Sequence, residues 1–390
     1  MIKEAEAKAY YLKNFPETET RTFYSHGRLE IIGNHTDHNR GLCLVAGADL
    51  GITAIVSPRD DGVVCVASQG FKPFTFSIDN LEAGFRDKGS TRGITRGILA
   101  GMKKLGLKVG GFNAACVNDI PAGSGISSSA CYESLICHIV DVLYNDKKCT
   151  PIAMARIGQF AENVYFGKNS GLLDQIGTSF GGVCFLDFQT PDRVLVEPIA
   201  FDLPLDITLV NTPSSHSGLN GLYGSIPHDM KSVAKVLFDK DVLREVTREE
   251  FMKASSQPTY GVSERAKLRA QHYFDENERV LQAKEAFEHH DVGSFLTAIR
   301  QSQISSQTLL ANTMIPGRYA NSPQEAIDRA NQFIGKGACR IMGGGFAGSI
   351  LCFTTHDETE HFRKVMGDLY GKENVCNVSL YEGGPHVVGE

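Results

Sequence analysis

Residues 121–130 read Pro-Ala-Gly-Ser-Gly-Ile-Ser-Ser-Ser-Ala and lead directly into an apolar helical pattern. Gly123 and Gly125 allow backbone turns that a side chain would forbid. The three serines at 127–129 then lie where a helix begins, and they add hydroxyls to backbone N–H groups that lack an intrahelical partner. Small residues, free donors and the positive end of a helix together predict a phosphate-binding loop.

Taken alone, this stretch is equally typical of a glycine turn that caps a helix. It is not a Walker A loop, because no Gly-Lys-Ser/Thr closes it. Two further segments help to decide between a phosphate-binding loop and a simple glycine turn. Residues 27–41 read Gly-Arg-Leu-Glu-Ile-Ile-Gly-Asn-His-Thr-Asp-His-Asn-Arg-Gly, and residues 343–348 read Gly-Gly-Gly-Phe-Ala-Gly between apolar runs.

These segments, in this order, resemble the three motifs of the GHMP kinases, and within that superfamily the chain is identified as a member of the galactokinases. The first segment is similar to Gly-Arg-Val-Asn-Leu-Ile-Gly-Glu-His-Thr-Asp-Tyr-Asn-x-Gly. The second resembles Pro-x-x-x-Gly-Leu-Ser-Ser-Ser-Ala, and the third resembles Gly-Gly-Gly-Phe-Gly-Gly. A fourth match, Gly-Leu-Leu-Asp-Gln at 171–175, resembles the catalytic Gly-x-x-Asp-Gln of that family.

The resemblance implies an α+β fold with two domains and an active site in the cleft between them. The N-terminal domain, residues 1–195, would resemble ribosomal protein S5 domain 2 and bind ATP and sugar. The C-terminal domain, residues 196–390, would be ferredoxin-like.

Apolar periodicity predicts the secondary-structure elements of both domains. It predicts strands at 21–32, 42–57, 62–68, 111–118, 183–188 and 206–211, and helices at 91–105, after the serines, and at 151–165. Residues 228–315 read as mainly helical. The remainder reads as a helix at 323–334, strands at 338–342 and 349–354, a helix at 357–370 and a strand near 375–381, an order typical of a ferredoxin-like sheet.

Composition excludes several classes of partner. The 390 residues carry a net charge of −6 and no long basic run, which argues against nucleic acid or an anionic membrane. The ten cysteines are scattered without a Cys-x-x-Cys pair and are expected to be reduced core residues. No signal-peptide pattern or membrane-spanning run occurs, so we expect a cytoplasmic protein. We also expect it to be a monomer.

Phosphoryl transfer requires that phosphates be held, their charge neutralised and the acceptor oxygen aligned. The resemblance assigns the catalytic carboxylate to Asp174 and its cation to Arg28. It assigns Mg²⁺ to Ser129 and Glu162. The implied ATP-binding residues are Gly123, Ser124, Gly125, Ile126, Ser127, Ser128 and Ser129.

The sugar site is where the chain departs from the family pattern. The implied contacts to the sugar are Asn34, His35, Thr36, Asp37, Gly171 and Tyr223. Asn34 replaces the usual glutamate, His38 replaces tyrosine, and Glu30 replaces asparagine. An amide both donates and accepts hydrogen bonds, whereas an ionised carboxylate only accepts. The change at 34 therefore alters which hydrogen-bonding groups of a sugar the pocket can bind.

The leading hypothesis is therefore an ATP-dependent sugar-1-kinase acting on galactose, with ATP and Mg²⁺ as cofactors. Two alternatives stay open. One is a related kinase for another hexose or for a hexuronic acid, because Asn34 removes a repulsive charge. The other is a non-catalytic sensor of sugar and ATP on the same fold.

Overall fold

The structure is a computed structural model that describes residues 3–390 except residues 122, 169, 191, 216, 217 and 259. Its strands are β1 (Arg21–Ile32), β2 (Leu42–Arg59), β3 (Val63–Ser68), β4 (Phe74–Ser77), β5 (Gly111–Asn118), β6 (Val183–Asp187), β7 (Leu195–Ile199), β8 (Leu205–Asn211), β9 (Ala338–Ile341), β10 (Ser349–Thr355), β11 (Val375–Val378) and β12 (His386–Val387).

Its α-helices are α1 (Glu4–Asn14), α2 (Thr91–Lys104), α3 (Ser128–Tyr144), α4 (Pro151–Phe160), α5 (Leu173–Phe180), α6 (Asn220–Phe238), α7 (Arg248–Ser255), α8 (Glu264–Glu288), α9 (Val292–Ser305), α10 (Pro323–Ala330) and α11 (His356–Tyr370). Helices and sheets are both extensive, so the predicted α+β class is confirmed. Among the helices of the described residues, none is long and apolar enough to cross a membrane.

The first sheet is organised around the long strand β2. The order is β12-β1-β2-β5-β3-β4, and β6 and β7 continue from β2. One edge of β2 pairs with β1, while the other edge pairs with β6 in its first part and with β5 in its last part. The first motif, residues 27–41, therefore begins in β1 and ends at the start of β2, in the middle of this sheet.

The two faces of the first sheet are covered by different helices. Successive strand residues point to opposite faces. Ala54 and Val56 of β2 accordingly join the main core, while Ile55 between them packs with Ala7 and Tyr11 of α1. Helices α3 and α5 contact β1 and β2. This layer brings the start of α3 and the start of α5 to the same end of β1.

The second sheet has the antiparallel order β11-β8-β10-β9, with α10 and α11 packed on it. The chain order of strand, helix, two strands, helix and strand is that of a ferredoxin-like unit. Residues 343–348, called the glycine turn below, connect β9 to β10. The predicted ferredoxin-like order is thus present in the C-terminal half.

The domain border is better drawn slightly later than predicted. Strand β7 pairs with β6 in the first sheet, whereas β8 belongs to the second sheet. A border at 195/196 separates β7 from its own sheet, so we propose a border between Ile199 and Leu205. The C-terminal β12 also returns to pair with β1.

Helices α8 and α9 connect the two sheets. They pack against each other; α8 contacts β1 and β2 of the first sheet, and α9 contacts β9 of the second. Side chains on α8 therefore reach the first motif from the C-terminal half of the chain.

Several elements differ from the prediction. Strands β4, β7 and β12 were not predicted, because they are short or largely exposed. Helix α5, only eight residues long, was not predicted either, and the helix predicted over 323–334 ends at Ala330. The helix predicted over 151–165 ends at Phe160 and continues as a π-helical turn at Ala161–Phe166. This turn carries Glu162, and such π-turns often occur at functional sites.

Candidate active site

Three segments far apart in sequence meet at the end of β1. The backbone N–H of Arg28 donates to the carbonyl of Ile126 at 2.9 Å, which joins the first motif to the loop at 121–130, the serine loop. A Cβ at Gly27 would lie 2.1 Å from Ile126 Cγ2, so only glycine allows this approach. His35 and Asn34 bond to carbonyls of the glycine turn, which completes the junction.

A cleft of about 870 Å³ opens at this junction. This volume is in the usual range for small-molecule sites. Most of the predicted sugar-binding and catalytic residues line it, namely Arg28, Asn34, His35, Asp37, Gly171, Asp174 and Tyr223. Glu30 and Lys168, neither of which was predicted as a site residue, line it as well.

Arg28 and Asp174 form an ion pair on the cleft wall. Arg28 Nε and Nη2 both donate to Asp174 Oδ1, at 2.9 and 2.6 Å, and Nη1 donates to the carbonyl of Gly125 at 2.6 Å. Ser127 Oγ donates to the other carboxylate oxygen, Oδ2. The pair therefore links the serine loop to the first turn of α5.

The ion pair has a defined effect on Asp174. Burial raises the pKa of this carboxyl, but the charges of Arg28 and Lys168 and the hydrogen bonds from Ser127 and Arg28 outweigh burial, so the net pKa lies below the usual value. About a third of the side chain, 31 %, stays exposed to the cleft. Asp174 is thus ionised at neutral pH and accessible to a ligand.

Local sequence explains how these two side chains meet. Asp174 lies in the first turn of α5, where a carboxylate also interacts favourably with the helix dipole. Gly177 faces Arg28, and a Cβ there would lie 2.8 Å from Arg28 Cβ. The absence of a side chain at 177 allows the Arg28 stem to pass along α5.

The serine loop forms the start of α3, as the sequence predicts. Helix α3 begins at Ser128, and Ser127 precedes it with a left-handed backbone at φ 61°. Such a conformation is costly for a serine and is often found where function requires it. Ser128 is exposed and Ser129 half-buried, whereas the Ile126 side chain is buried in the main core. Ala122 of this loop lies outside the described residues.

Carboxylates and an amide cluster behind Ser129. Gln175 Nε2 donates to Glu133 Oε2 at 3.1 Å and to Glu162 Oε2 at 3.2 Å. Lys168 Nζ lies 3.3 Å from Glu162 Oε1. Burial, followed by the neighbouring Glu162, raises the pKa of Glu133 well above its usual range. The cluster therefore contains two carboxyl groups, Glu133 and Glu162, and one neighbouring cation, Lys168.

The same cluster fits a magnesium ion. Within the described residues, Glu133 Oε1 and Gln175 Oε1 are buried without a hydrogen-bond partner. Glu133 lies one helical turn after Ser129, on the same face of α3. Carboxylate, amide and hydroxyl oxygens are the donors that Mg²⁺ prefers. The described residues contain no cluster of three or more His, Cys, Asp or Glu suited to a metal, so water and phosphate oxygens would supply the other ligands.

The predicted sugar contacts divide into two groups. Asp37 and Gly171 are in direct contact at the cleft: a Cβ on Gly171 would lie 2.7 Å from Asp37 Oδ2. Tyr223 lies against Gly344, with its hydroxyl donating to the Gly345 carbonyl at 2.9 Å. Thr36, in contrast, is buried, and its hydroxyl contacts the carbonyls of Gly33 and Leu42 at 2.9 and 2.7 Å. Thr36 therefore stabilises the turn of the first motif.

Asn34 is fully buried at the cleft wall, and its amide is engaged on both sides. Nδ2 donates to Glu30 Oε1 at 2.9 Å and to the Gly343 carbonyl at 2.6 Å. Oδ1 accepts from Asn312 Nδ2 at 2.7 Å. Glu30 Oε1 also accepts from Arg340 Nη2 at 3.2 Å. Asn34 thus ties the first motif to the glycine turn and to the residues beyond α9.

Helix α8 supplies supporting residues that the sequence did not reveal. Glu276 Oε1 accepts from the backbone N–H groups of Gly33 and Asn34, at 3.1 and 3.2 Å, and from Ser302 Oγ at 2.6 Å. His272 Nε2 lies 3.0 Å from the Asn34 carbonyl. Spacings of four and seven residues place His272, Glu276 and Arg279 on one face of α8.

The electrostatics of Glu276 follow from this enclosure. Burial raises its pKa, yet Arg279, His272 and Arg340 more than compensate and lower it to about 2. A single ionised carboxylate therefore anchors the backbone of the first motif. Charged residues on the buried face of a long helix were the available signal, but their partners in the first motif lie more than 230 residues away in sequence.

Two family models and several curated proteins are similar to this chain. A family model described as the galactokinase galactose-binding signature matches residues 9–58, and one described as the GHMP kinases N-terminal domain matches residues 94–182. A galactokinase from Limosilactobacillus reuteri is 29 % identical over 396 residues, covering 97 % of this chain and 98 % of its own. A galactokinase from Actinobacillus pleuropneumoniae is 30 % identical over 362 residues, covering 90 % of each chain. The chain belongs to the galactokinase family.

Solved structures agree with this assignment. The structure of Lactococcus lactis galactokinase complexed with galactose superimposes with a TM-score of 0.85 at 26 % identity, and covers 98 % of this chain and 99 % of its own. Methanococcus jannaschii mevalonate kinase has a TM-score of 0.66 at 12 % identity, covering 94 % of this chain and 99 % of its own, a likeness of fold alone. The chain thus has the two-domain GHMP kinase fold.

Proposed function

We propose that this chain transfers the terminal phosphoryl group of ATP to the anomeric hydroxyl of galactose. The observation that carries the proposal is the Arg28–Asp174 ion pair, which lies on the cleft wall and is bonded to the serine loop. Membership of the galactokinase family and the likeness to a galactokinase that binds galactose support the choice of acceptor.

ATP would place its phosphates at the serine loop and the start of α3. Backbone N–H groups and the helix dipole favour negative charge there. The predicted ATP-binding residues 123–129 do not all act in the same way. Ser127 uses its hydroxyl on Asp174, and Ile126 anchors the loop in the core. The contacts to phosphate would come from the loop backbone and from Ser128 and Ser129.

Mg²⁺ would be held by Ser129 and Glu162, with Glu133 and Gln175 behind them. When bound, it neutralises charge on the phosphates during transfer. The chain's own residues have two related tasks. Lys168 balances Glu162, and Gln175 fixes both carboxylates relative to α3.

In the transfer step the acceptor oxygen forms a bond to the terminal phosphorus while the bond to the departing ADP oxygen breaks. Asp174 accepts the hydroxyl proton and orients the hydroxyl before the step. Because its pKa is lowered, Asp174 is a weak base, so positioning contributes more than proton abstraction in advance. Arg28, which bridges Asp174 and the serine loop, offsets the charge on the phosphoryl group.

The acceptor would occupy the part of the cleft lined by His35, Asp37, Gly171 and Tyr223. The intact Arg28–Asp174 pair favours catalysis over a sensor, which would not need it.

The test is ATP consumption with galactose, other hexoses and hexuronic acids, with ³¹P NMR to identify an anomeric phosphate. We expect turnover with galactose and galactose 1-phosphate as product. Turnover restricted to a hexuronic acid would replace galactose as the acceptor. Tight ATP and sugar binding without turnover of any sugar would favour the sensor.

A further inference from the structure

The acceptor pocket contains a carboxylate at a position that the family pattern does not provide. In that pattern the first motif carries asparagine four residues before a glutamate. In this chain Glu30 takes the place of the asparagine, and Asn34 takes the place of the glutamate. The two residue types are present in both arrangements, but in opposite order.

The structure shows that these two residues are direct partners. Asn34 Nδ2 donates to Glu30 Oε1 at 2.9 Å, and both residues line the cleft. An exchange between two side chains in contact keeps one carboxylate and one amide in the same small volume. The loss of charge at position 34 is therefore compensated locally.

Asn34 has little capacity left for a ligand. Both of its amide hydrogens have carbonyl or carboxylate acceptors, and its oxygen accepts from Asn312. Its side chain is completely buried. A sugar hydroxyl would have to break one of these bonds before it could contact Asn34.

Glu30, in contrast, has an oxygen available. Among the described residues, the hydrogen bonds to its side chain come from Asn34 and Arg340, and both end on Oε1. Arg340 is itself fully buried and also donates to the Glu30 carbonyl at 2.9 Å. Glu30 is thus held firmly through one oxygen, which leaves Oε2 for a donor in the cleft.

We propose that Glu30 is the acceptor-orienting carboxylate of this chain, and that it took over this task by exchanging residue types with position 34. The inference rests on the proposed sugar kinase function. Arg28 and Glu30 lie two residues apart on β1 and so point to the same face. One strand thereby presents a cation to the phosphoryl group and a carboxylate to the acceptor.

This assignment defines the class of acceptor. A carboxylate can accept a hydrogen bond from a sugar hydroxyl but repels another carboxylate. The acceptor is therefore a neutral hexose whose hydroxyl donates to Glu30, and a hexuronic acid is rejected. This answers the alternative that Asn34 alone had left open.

A double-mutant cycle tests the exchange. The variants are Glu30→Asn, Asn34→Glu and the double variant, which restores the order of the family pattern. Glu30→Asn removes the carboxylate, and Asn34→Glu puts two carboxylates in contact. We expect each single variant to lose roughly 10- to 100-fold in kcat/KM for galactose, which is the effect of one charged hydrogen bond. The double variant should recover most of that loss.

Deoxy sugars separate a sugar contact from a structural role. Galactose analogues that each lack one hydroxyl are compared in the parent and in Glu30→Gln. For the analogue lacking the hydroxyl that meets Glu30, the substitution should cost nothing further, while every other analogue should lose the same factor as galactose. An equal loss for all analogues would overturn the proposal, because a purely structural Glu30 would not distinguish them. Glu197→Gln, at a distant surface pair with Lys284, serves as the matched control.

Calorimetric titration of sugar without ATP distinguishes failure of this inference from failure of the kinase function. If no hexose is phosphorylated, the cycle can still be followed through galactose affinity. If the variants do not fold, the parent alone remains decisive: it should bind galacturonate at least about tenfold more weakly than galactose. Equal binding of the two sugars would overturn the role of Glu30.

Discussion

The two walls of the cleft share strand β1 but differ in how closely they follow the family pattern. On the catalytic wall, Arg28, Ser127 and Asp174 match the family pattern. Arg28 and Ser127 both donate to Asp174, and Arg28 lies 146 residues from it in sequence. On the acceptor wall, Glu30 and Asn34 depart from that pattern at both positions. This chain therefore has the family's residue types next to the phosphoryl group, whereas on the acceptor wall a hydrogen-bonded carboxylate and amide occupy each other's positions.

The largest expected effect is on the catalytic wall. Asp174→Asn keeps the size of the side chain but removes its charge, so Arg28 loses its partner and the hydroxyl loses its proton acceptor. We expect kcat to fall by roughly 10²- to 10⁴-fold, the usual contribution of a positioned acid–base group. Steady-state kinetics and calorimetric titration would measure it. Affinities for ATP and galactose should stay close to those of the parent.

Near-normal turnover in Asp174→Asn would remove this residue from the mechanism. It would also weaken the contrast between the two walls, because both would then tolerate substitution.

The second prediction concerns the support behind the acceptor wall. Glu276→Gln removes the buried charge that anchors Gly33 and Asn34 and balances Arg279. Breaking such a buried pair should lower the free energy of unfolding by roughly 3 kcal/mol. Denaturant unfolding would measure this. Glu278→Gln, two residues along the same helix and paired with Arg248 at the surface, should cost less than about 1 kcal/mol.

The same pair of variants predicts a pH dependence. The folded pKa of Glu276, about 2, lies below its ordinary value near 4.5, so its contribution to stability is complete above about pH 4.5. That contribution is lost as the pH falls from 4.5 toward 2. The difference in unfolding free energy between the parent and Glu276→Gln should therefore shrink over this range. A difference independent of pH would contradict an ionised Glu276.

The sequence predicted the catalytic wall better than the acceptor wall, and the reason is physical. Arg28 and Asp174 each lie in a short motif that resembles a motif of the family, and the resemblance implied their roles. The groups that fix the acceptor wall are Glu276, Asn312 and Arg340, which lie 242, 278 and 310 residues from their partners. The local sequence around Glu276, Asn312 and Arg340 does not reveal these distant partners.

The fold shows the same division. Long apolar strands such as β1 and β2 were predicted nearly to their ends, and a helix was predicted where α3 follows the serines. The exposed β7 and the two-residue β12 were missed, because their position depends on pairing with distant strands. The exchange of Glu30 and Asn34 likewise requires three-dimensional contact before it can be understood.

The third prediction concerns the metal side of the catalytic wall. Ser129→Ala should raise the KM for Mg·ATP by roughly tenfold, the effect of one hydrogen bond or ligand of about 1.5 kcal/mol. The KM for galactose should not change, because Ser129 lies away from the acceptor. Ser129→Thr, which keeps the hydroxyl, should restore the parent value. If Ser129→Ala has normal ATP kinetics, the hydroxyl serves only the start of the helix.

The smallest expected effect comes from Thr36, which the sequence assigned to the sugar. Its hydroxyl contacts the carbonyls of Gly33 and Leu42, and its side chain is completely buried. Thr36→Val keeps the shape and removes one donor, so thermal unfolding should show a loss of about 1–2 kcal/mol. Because the hydroxyl does not reach the cleft, kcat/KM for galactose should stay within about threefold of the parent. A larger loss with unchanged stability would mean that Thr36 turns toward the sugar, and the acceptor wall would then extend further along the first motif than Glu30 and Asp37.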